Sequence, residues 1–338
     1  MNTHVVIMAG GIGSRFWPLS TPERPKQFID ILGCGKSLIR LTADRFKGLC
    51  APSNFWVVTN AAYAAEVARH LPEIPQGHIL AEPAARNTAP CIAWACQAVL
   101  SEDPQANIVI TPSDAFVADP EEFRRVLACA LECTGKDDCV VTIGIKPSRP
   151  ETGYGYIKSS AGEGIVQVEA FKEKPDYQTA CRYIEEKSYL WNAGIFVWKA
   201  AFAQTLIKRY RPQIADIMDQ IAQGGDLETL FPQCEKISID YAVMEQAAAE
   251  GLVRTCPADF GWSDLGNWAS LHDHSELDGA GNAAVGPVSF YECSDCVVHA
   301  EDAGKVVLQG LEGYIVALKG DRLLVCRRSE EQRIKDFQ

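Results

Sequence analysis

Short apolar runs alternate with helical stretches through the first half of this 338-residue chain, and that alternation restricts the fold more than any other feature. Residues 5–8 (Val-Val-Ile-Met), 55–59, 78–81, 107–111 and 139–144 are runs of strand length dominated by apolar residues. Continuous runs this short, bounded by turn residues, read as buried strands. Between them, residues 37–46, 61–70, 89–100 and 121–133 place their apolar side chains at helical spacing. Strands alternating with helices of this size imply βαβ units and a mainly parallel, Rossmann-like α/β sheet. On such a sheet ligands bind beyond the carboxyl ends of the strands.

The first strand runs straight into residues 9–28, Ala-Gly-Gly-Ile-Gly-Ser-Arg-Phe-Trp-Pro-Leu-Ser-Thr-Pro-Glu-Arg-Pro-Lys-Gln-Phe. Gly10, Gly11 and Gly13 allow a sharp turn and close approach to a ligand, because no Cβ intervenes. Successive N–H groups in such a loop form a concavity that suits phosphate oxygens. Arg15, Arg24 and Lys26 add cations, and Pro18, Pro22 and Pro25 stiffen the return path. A lone glycine turn with solvated charges is an ordinary strand-to-helix connection; the whole run is far more specific. Two familiar phosphate loops do not fit. The stretch from Gly11 lacks the third glycine of the dinucleotide fingerprint, Phe16 standing there instead. Asp30 occupies the first glycine position of a Walker-like run ending in Lys36-Ser37.

The run from Gly10 to Phe28 resembles the signature of the sugar-1-phosphate nucleotidylyltransferases, specifically the mannose-1-phosphate guanylyltransferases. The resemblance implies that the loop wraps a nucleoside triphosphate, with Gly10, Gly11, Gly13 and Ser14 along it and Arg15 and Lys26 on the phosphates.

A formal charge of −12 argues against general nucleic-acid or acidic-membrane binding, which needs a basic face. The basic cluster between Arg15 and Arg40 is a local exception that suits a phosphate site. The 13 cysteines are odd in number, and no signal peptide precedes the first strand. Free cysteine packs as a small hydrophobe, and cytosolic thiols stay reduced. Cys293 and Cys296 form a CxxC with His299 beyond it, but no second ligand pair is evident for a zinc. No apolar run approaches the approximately 18 residues of a membrane helix. A cytoplasmic, reduced protein is expected.

From Tyr154 the pattern shifts to β-type insertions at 154–157 and 166–172, then helices at 177–187, 202–223 and 239–249. Glycines and an asparagine at 277–282 suggest a hinge. Beyond it come short β-type runs with turns recurring about every ten residues, and no helix before Glu330. The expected organisation is a catalytic domain over 1–276 and a small all-β module over 283–338. The family resemblance implies a left-handed β-helix-like tail here; longer members add a cupin-type isomerase domain.

Four constellations carry chemistry. Asp114 follows a buried strand, and Asp264 sits among two glycines and two tryptophans in residues 260–268. Each alone serves as well as a helix cap or turn residue. Two carboxylates with phosphates and water also satisfy Mg²⁺, and the resemblance implies that these two hold it, with Ser113 among the nucleotide-binding residues. Ala115 stands where the family usually has histidine. Glu82, Arg86, Asn87 and Thr88 lie in a strand-to-helix loop where Asn and Thr are natural caps; the resemblance implies the nucleobase side. Gly155, Glu173, Lys174 and Asn192 match the family's sugar-phosphate pocket, since a carboxylate and an amide suit sugar hydroxyls and an ammonium suits phosphate. Asp240 reads as a helix N-cap near that pocket. His272 and His274 lie two apart, off a common helix face, and read as a solvated turn.

The resemblance therefore implies transfer of GMP from GTP to mannose 1-phosphate, giving GDP-mannose and pyrophosphate, with Mg²⁺ as cofactor. The alternatives are another hexose 1-phosphate or nucleotide, or a silent sugar-nucleotide-binding regulator. The expected partners are the two substrates, with neither nucleic acid nor membrane, and self-association as a homodimer through the β tail.

Overall fold

The computed structural model describes residues 2–11, 13–162 and 164–337, so Ile12 of the glycine loop lies outside the described residues. Contacts divide the chain into two compact units. The first comprises 1–10, 45–112 and 117–262, and the second 11–44, 113–116 and 263–338. This grouping cuts across the sequence segments 1–276 and 283–338.

The first unit is built on a nine-stranded sheet of β1 (Thr3–Ala9), β2 (Phe55–Asn60), β3 (Ile79–Glu82), β4 (Asn107–Pro112), β6 (Val140–Ile145), β7 (Tyr156–Ser159), β8 (Val166–Lys172), β9 (Tyr189–Lys199) and β10 (Val253–Ala258). The chain passes between the units at the two-residue strands β5 (Phe116–Val117) and β11 (Trp262–Ser263). Sheet order is β3-β2-β1-β4-β9-β6-β10-β8-β7. Strands β1 to β4 are mutually parallel, as are β6 and β10. The mainly parallel α/β reading holds. Because of that register, Ala9, Glu82 and Pro112 end their strands on one edge of the sheet.

Two strands escape the sequence reading. β9 runs antiparallel between β4 and β6. Asn192 and Gly194 in its middle look like turn residues, and Gly194 does take a left-handed φ of 69°. β10 contains Pro257, which removes a ladder donor; it is paired on its β8 side only at Arg254 and Thr255. The single helix expected over 202–223 is two, Ala200–Tyr210 and Pro212–Ala222. Pro212 lacks the N–H needed to continue a helix but fits the first position of the next.

The second unit holds the β-rich tail, β12 (Ala283–Val285), β13 (Val288–Tyr291), β14 (Val297–His299), β15 (Val306–Gln309), β16 (Tyr314–Lys319) and β17 (Arg322–Arg327). β12, β14 and β16 stack in parallel register, and β13 stacks on β15. These are the rungs of a β-helix-like module, closed by antiparallel β17. Within this unit Phe16 and Leu19 of the first loop share one core with Trp268, Leu271, Val297 and Ile315. The CxxC sulfurs face carbonyls, Cys293 toward Tyr291 and Cys296 toward Ser294 and Leu311. His272 is not a solvated turn residue: it is buried in the helix Trp268–Asp273, with Nε2 2.8 Å from the Gly281 carbonyl. The leucine and tryptophan beside it carry its ring into the core.

Candidate active site

In the second unit, three separated segments meet at one ammonium group. Lys26 is only 4% exposed, and its Nζ donates to the carbonyls of Asp264 (2.8 Å) and Leu265 (3.0 Å) and pairs with Asp114 Oδ2 at 2.9 Å. An ammonium has three protons, so these three oxygens use them all. Gly13 lies against the stem of this side chain. It takes a left-handed φ of 70°, and an added Cβ would overlap the Lys26 Cβ. Ser20 Oγ donates to the Gly13 carbonyl and fixes the turn. Gly10 and Gly11 are exposed, with nothing within 4 Å of an added Cβ. Of the three glycines, only Gly13 answers to a packing constraint.

Arg15 is exposed and gives one bond of 3.3 Å to the Gly266 carbonyl, while its own carbonyl accepts from Trp268 Nε1 at 3.1 Å. Its guanidinium is thus anchored by its backbone and open to solvent at its tip. Asp264 Oδ1 accepts from Gly266 N at 2.9 Å, closing a turn that holds Leu265 at φ 43°. A left-handed leucine costs on the order of 1–3 kcal/mol and persists where surroundings enforce it. Here the enforcing groups are Lys26 on its carbonyl and full burial of its side chain. Asp114 keeps 36% of its side chain exposed, Ser113 is buried with its carbonyl bonded by Thr42 Oγ1, and Ala115 is buried. Ser14 is exposed on the loop.

The first unit carries the residues expected on the nucleobase and sugar sides. Glu82, at the end of β3, is 7% exposed; burial pushes its carboxyl up to about 7, and its Oε1 has no hydrogen-bond partner among the described residues. Arg86 Nε is likewise buried and without a partner among them. Asn87 and Thr88 have structural work: Asn87 Oδ1 caps the helix Thr88–Glu102, and Thr88 Oγ1 accepts from Ile239 N at 2.8 Å.

In the group expected on the sugar side, an added Cβ on Gly155 would lie 2.6 Å from Glu173 Oε2 and 3.4 Å from Asn192 Cβ, so a larger residue there would displace the Glu173 carboxylate. Lys174, at φ 44°, extends to solvent and pairs with Glu173 at 2.6 Å. Asn192 Oδ1 accepts from Thr142 Oγ1 (3.2 Å) and Gly194 N (3.1 Å), while its Nδ2 donates to Asp240 Oδ1 (3.1 Å). Its carbonyl oxygen is fully used. Asp240 does not cap a helix by its side chain; it opens the π-helical turn Asp240–Met244 and accepts from Asn192 instead. Burial, and then repulsion from Glu173, push its carboxyl up to about 6. A wide π turn redirects side chains at functional sites, and no residue pattern in the sequence marks it.

Among the described residues, no helix is long and apolar enough to cross a membrane. The family described as Nucleotidyl transferase matches residues 4–280. The xanthan biosynthesis protein XanB of Xanthomonas campestris is 36% identical over 98% of this chain and 71% of its own length. A mannose-1-phosphate guanylyltransferase of Escherichia coli is also 36% identical, with the same coverage of 98% and 71%. A solved structure titled mannose-1-phosphate geranyltransferase, from Thermus thermophilus, superposes with a TM-score of 0.92 at 34% identity, covering 100% of this chain and 98% of that one. With the glycine loop leaving β1 and the acidic loop leaving β4, these matches place the chain in the nucleotidyl transferase family, as a nucleotidyltransferase enzyme.

Proposed function

We propose that this enzyme transfers GMP from GTP to mannose 1-phosphate, releasing pyrophosphate. The observation that carries the reading is the Lys26 ammonium, which ties the glycine loop to the two aspartate loops. It orders one basic and two acidic groups for a polyanionic substrate. The sugar phosphate is already ionised near neutral pH, with a second pKa of roughly 6. It attacks the α-phosphorus in line without a general base or a protein nucleophile. The protein's task is positioning and charge neutralisation.

Arg15 reaches solvent and is the direct contact for the triphosphate. Lys26, whose protons go to protein oxygens, is better suited to hold the loops and lend its charge from behind. The exposed glycine backbone at Gly10 and Gly11, with Ser14, lines the phosphates. Asp114 and Asp264 suit a hard cation, because oxygen donors are what Mg²⁺ takes. Among the described residues no group of three or more His, Cys, Asp or Glu could hold a metal, so these two carboxylates would hold it together with oxygen donors of the substrate and solvent. When bound, Mg²⁺ supplies charge neutralisation at the phosphates. Glu82 offers an unpaired carboxylate oxygen to the N–H donors of a guanine edge, alongside Arg86. Glu173 accepts from mannose hydroxyls, and Lys174 holds the sugar phosphate. Segment 1–276 carries these groups, and 283–338 buttresses the loop through the Phe16 core.

Exposed Tyr291, Leu323 and Val325 on the tail favour a homodimer through the tail, which light scattering tests. All 13 cysteines are free thiols, in keeping with a reducing cytoplasm.

The deciding experiment measures pyrophosphate release across four nucleoside triphosphates and several hexose 1-phosphates. Signal confined to GTP with mannose 1-phosphate supports the proposal. Another pair keeps the mechanism and overturns the substrates, and silence with intact GDP-mannose binding points to a regulator.

A further inference from the structure

The last turn of the helix Pro120–Lys136 holds Cys133, and three residues after the helix Cys139 leads into β6. Their sulfurs lie 3.8 Å apart, against approximately 2.05 Å in a disulfide. The connection between them is held from both neighbouring strands. Arg254 on β10 donates to Asp137 at 2.6 Å, and Lys199 on β9 to Asp138 at 2.8 Å. The same Arg254 guanidinium donates to Cys133 Sγ at 3.1 Å. Cys133 is half-buried and reachable from solvent, whereas Cys139 is 4% exposed.

Those differences give the two thiols different tasks. A sulfur facing a guanidinium is supported as it takes on negative charge, which is the condition for a reactive thiol. A buried neighbour within reach is what resolves a sulfenic acid before it is oxidised further. We propose that Cys133 and Cys139 form a peroxide-reactive dithiol, with Cys133 the attacking sulfur and Cys139 the resolving one. The Cys133 sulfur attacks one peroxide oxygen, the O–O bond breaks, and water leaves with Cys133 as the sulfenic acid. The Cys139 sulfur then displaces the sulfenic hydroxyl as a second water, closing the disulfide. Two thiols lose two electrons and one hydrogen peroxide gains them.

The test uses the reduced full chain with about one equivalent of hydrogen peroxide, quenched with N-ethylmaleimide and digested without reductant. Trypsin cuts after Lys136, so the linkage joins two peptides, and fragmentation separates Cys133 from Cys129. The 133–139 linkage is expected at least tenfold above any other. Arg254→Gln should slow its formation at least threefold, and Arg254→Lys should restore most of the rate. Cys139→Ala should instead accumulate Cys133 sulfinic acid. Both thiols remaining alkylable, or a dominant Cys129–Cys256 linkage, overturns the proposal on the unmutated protein. An unchanged rate in Arg254→Gln overturns it as well.

Discussion

The loops around Lys26 and the residues around Glu82 solve opposite problems. In the first region, polar groups of the protein satisfy one another: an ammonium meets two carbonyls and a carboxylate, and a carboxylate closes its own turn. In the second, buried polar atoms are left without partners, Glu82 Oε1 and Arg86 Nε among them. A satisfied network fixes geometry before a substrate arrives. An unsatisfied one stores a desolvation cost, on the order of 1–3 kcal/mol per group, which a complementary ligand relieves. In the function proposed above, the loops around Lys26 would serve positioning and the residues around Glu82 discrimination.

Four substitutions can break that contrast on the satisfied side. Asp264→Asn preserves the bond from Gly266 N but removes the charge, so turnover at saturating Mg²⁺ should fall about 10²–10³-fold with melting nearly unchanged. Near-normal turnover would remove Asp264 from the metal site. Lys26→Met strands two carbonyls and leaves the part-exposed Asp114 carboxylate without its ion pair, and should cost about 3 kcal/mol in denaturant unfolding. Arg15→Ala should leave stability intact and act on KM for GTP. Equal stability of the Lys26 and Arg15 variants would contradict a structural role for Lys26. Gly13→Ala should cost about 1–2 kcal/mol, from its positive φ and the clash with the Lys26 stem. A still smaller loss would mean that the turn relaxes freely.

What the sequence disclosed follows the same division. Arg15, Lys26, Asp114 and Asp264 were legible as a group because their loops carry unusual residue types in a fixed order, and the second unit does bring all four together. The commitment of Lys26 to protein oxygens was not legible, because a cation in a glycine loop reads the same whether it faces a phosphate or a carbonyl. The parallel half of the sheet followed from apolar runs alone. β9 did not, since Asn192 and Gly194 read as turn residues although Asn192 pairs with Gly144 across the ladder. Asp240 was misread as a cap because a π turn leaves no residue pattern, and its partner Asn192 is 48 residues away.

Glu82 offers the sharpest test of the unsatisfied side. Burial raises its carboxyl from 4.5 to about 7. The folded protein therefore holds that proton more tightly than the unfolded chain does. Below about pH 4.5 both states are protonated and burial of the charge costs nothing; the cost grows as pH rises toward 7 and levels off above it. Glu82→Gln has no such titration. Its melting temperature should match the parent near pH 4.5 and exceed it at pH 8, by the equivalent of about 3 kcal/mol at most. The same variant should bind GTP roughly tenfold more weakly, the worth of one charge-assisted hydrogen bond. Parallel melting profiles across this range would show that the carboxylate finds solvent, and with it the stored cost that distinguishes the base side would disappear. A variant stabilised at pH 8 with GTP affinity unchanged would keep the cost but assign it to something other than the nucleobase.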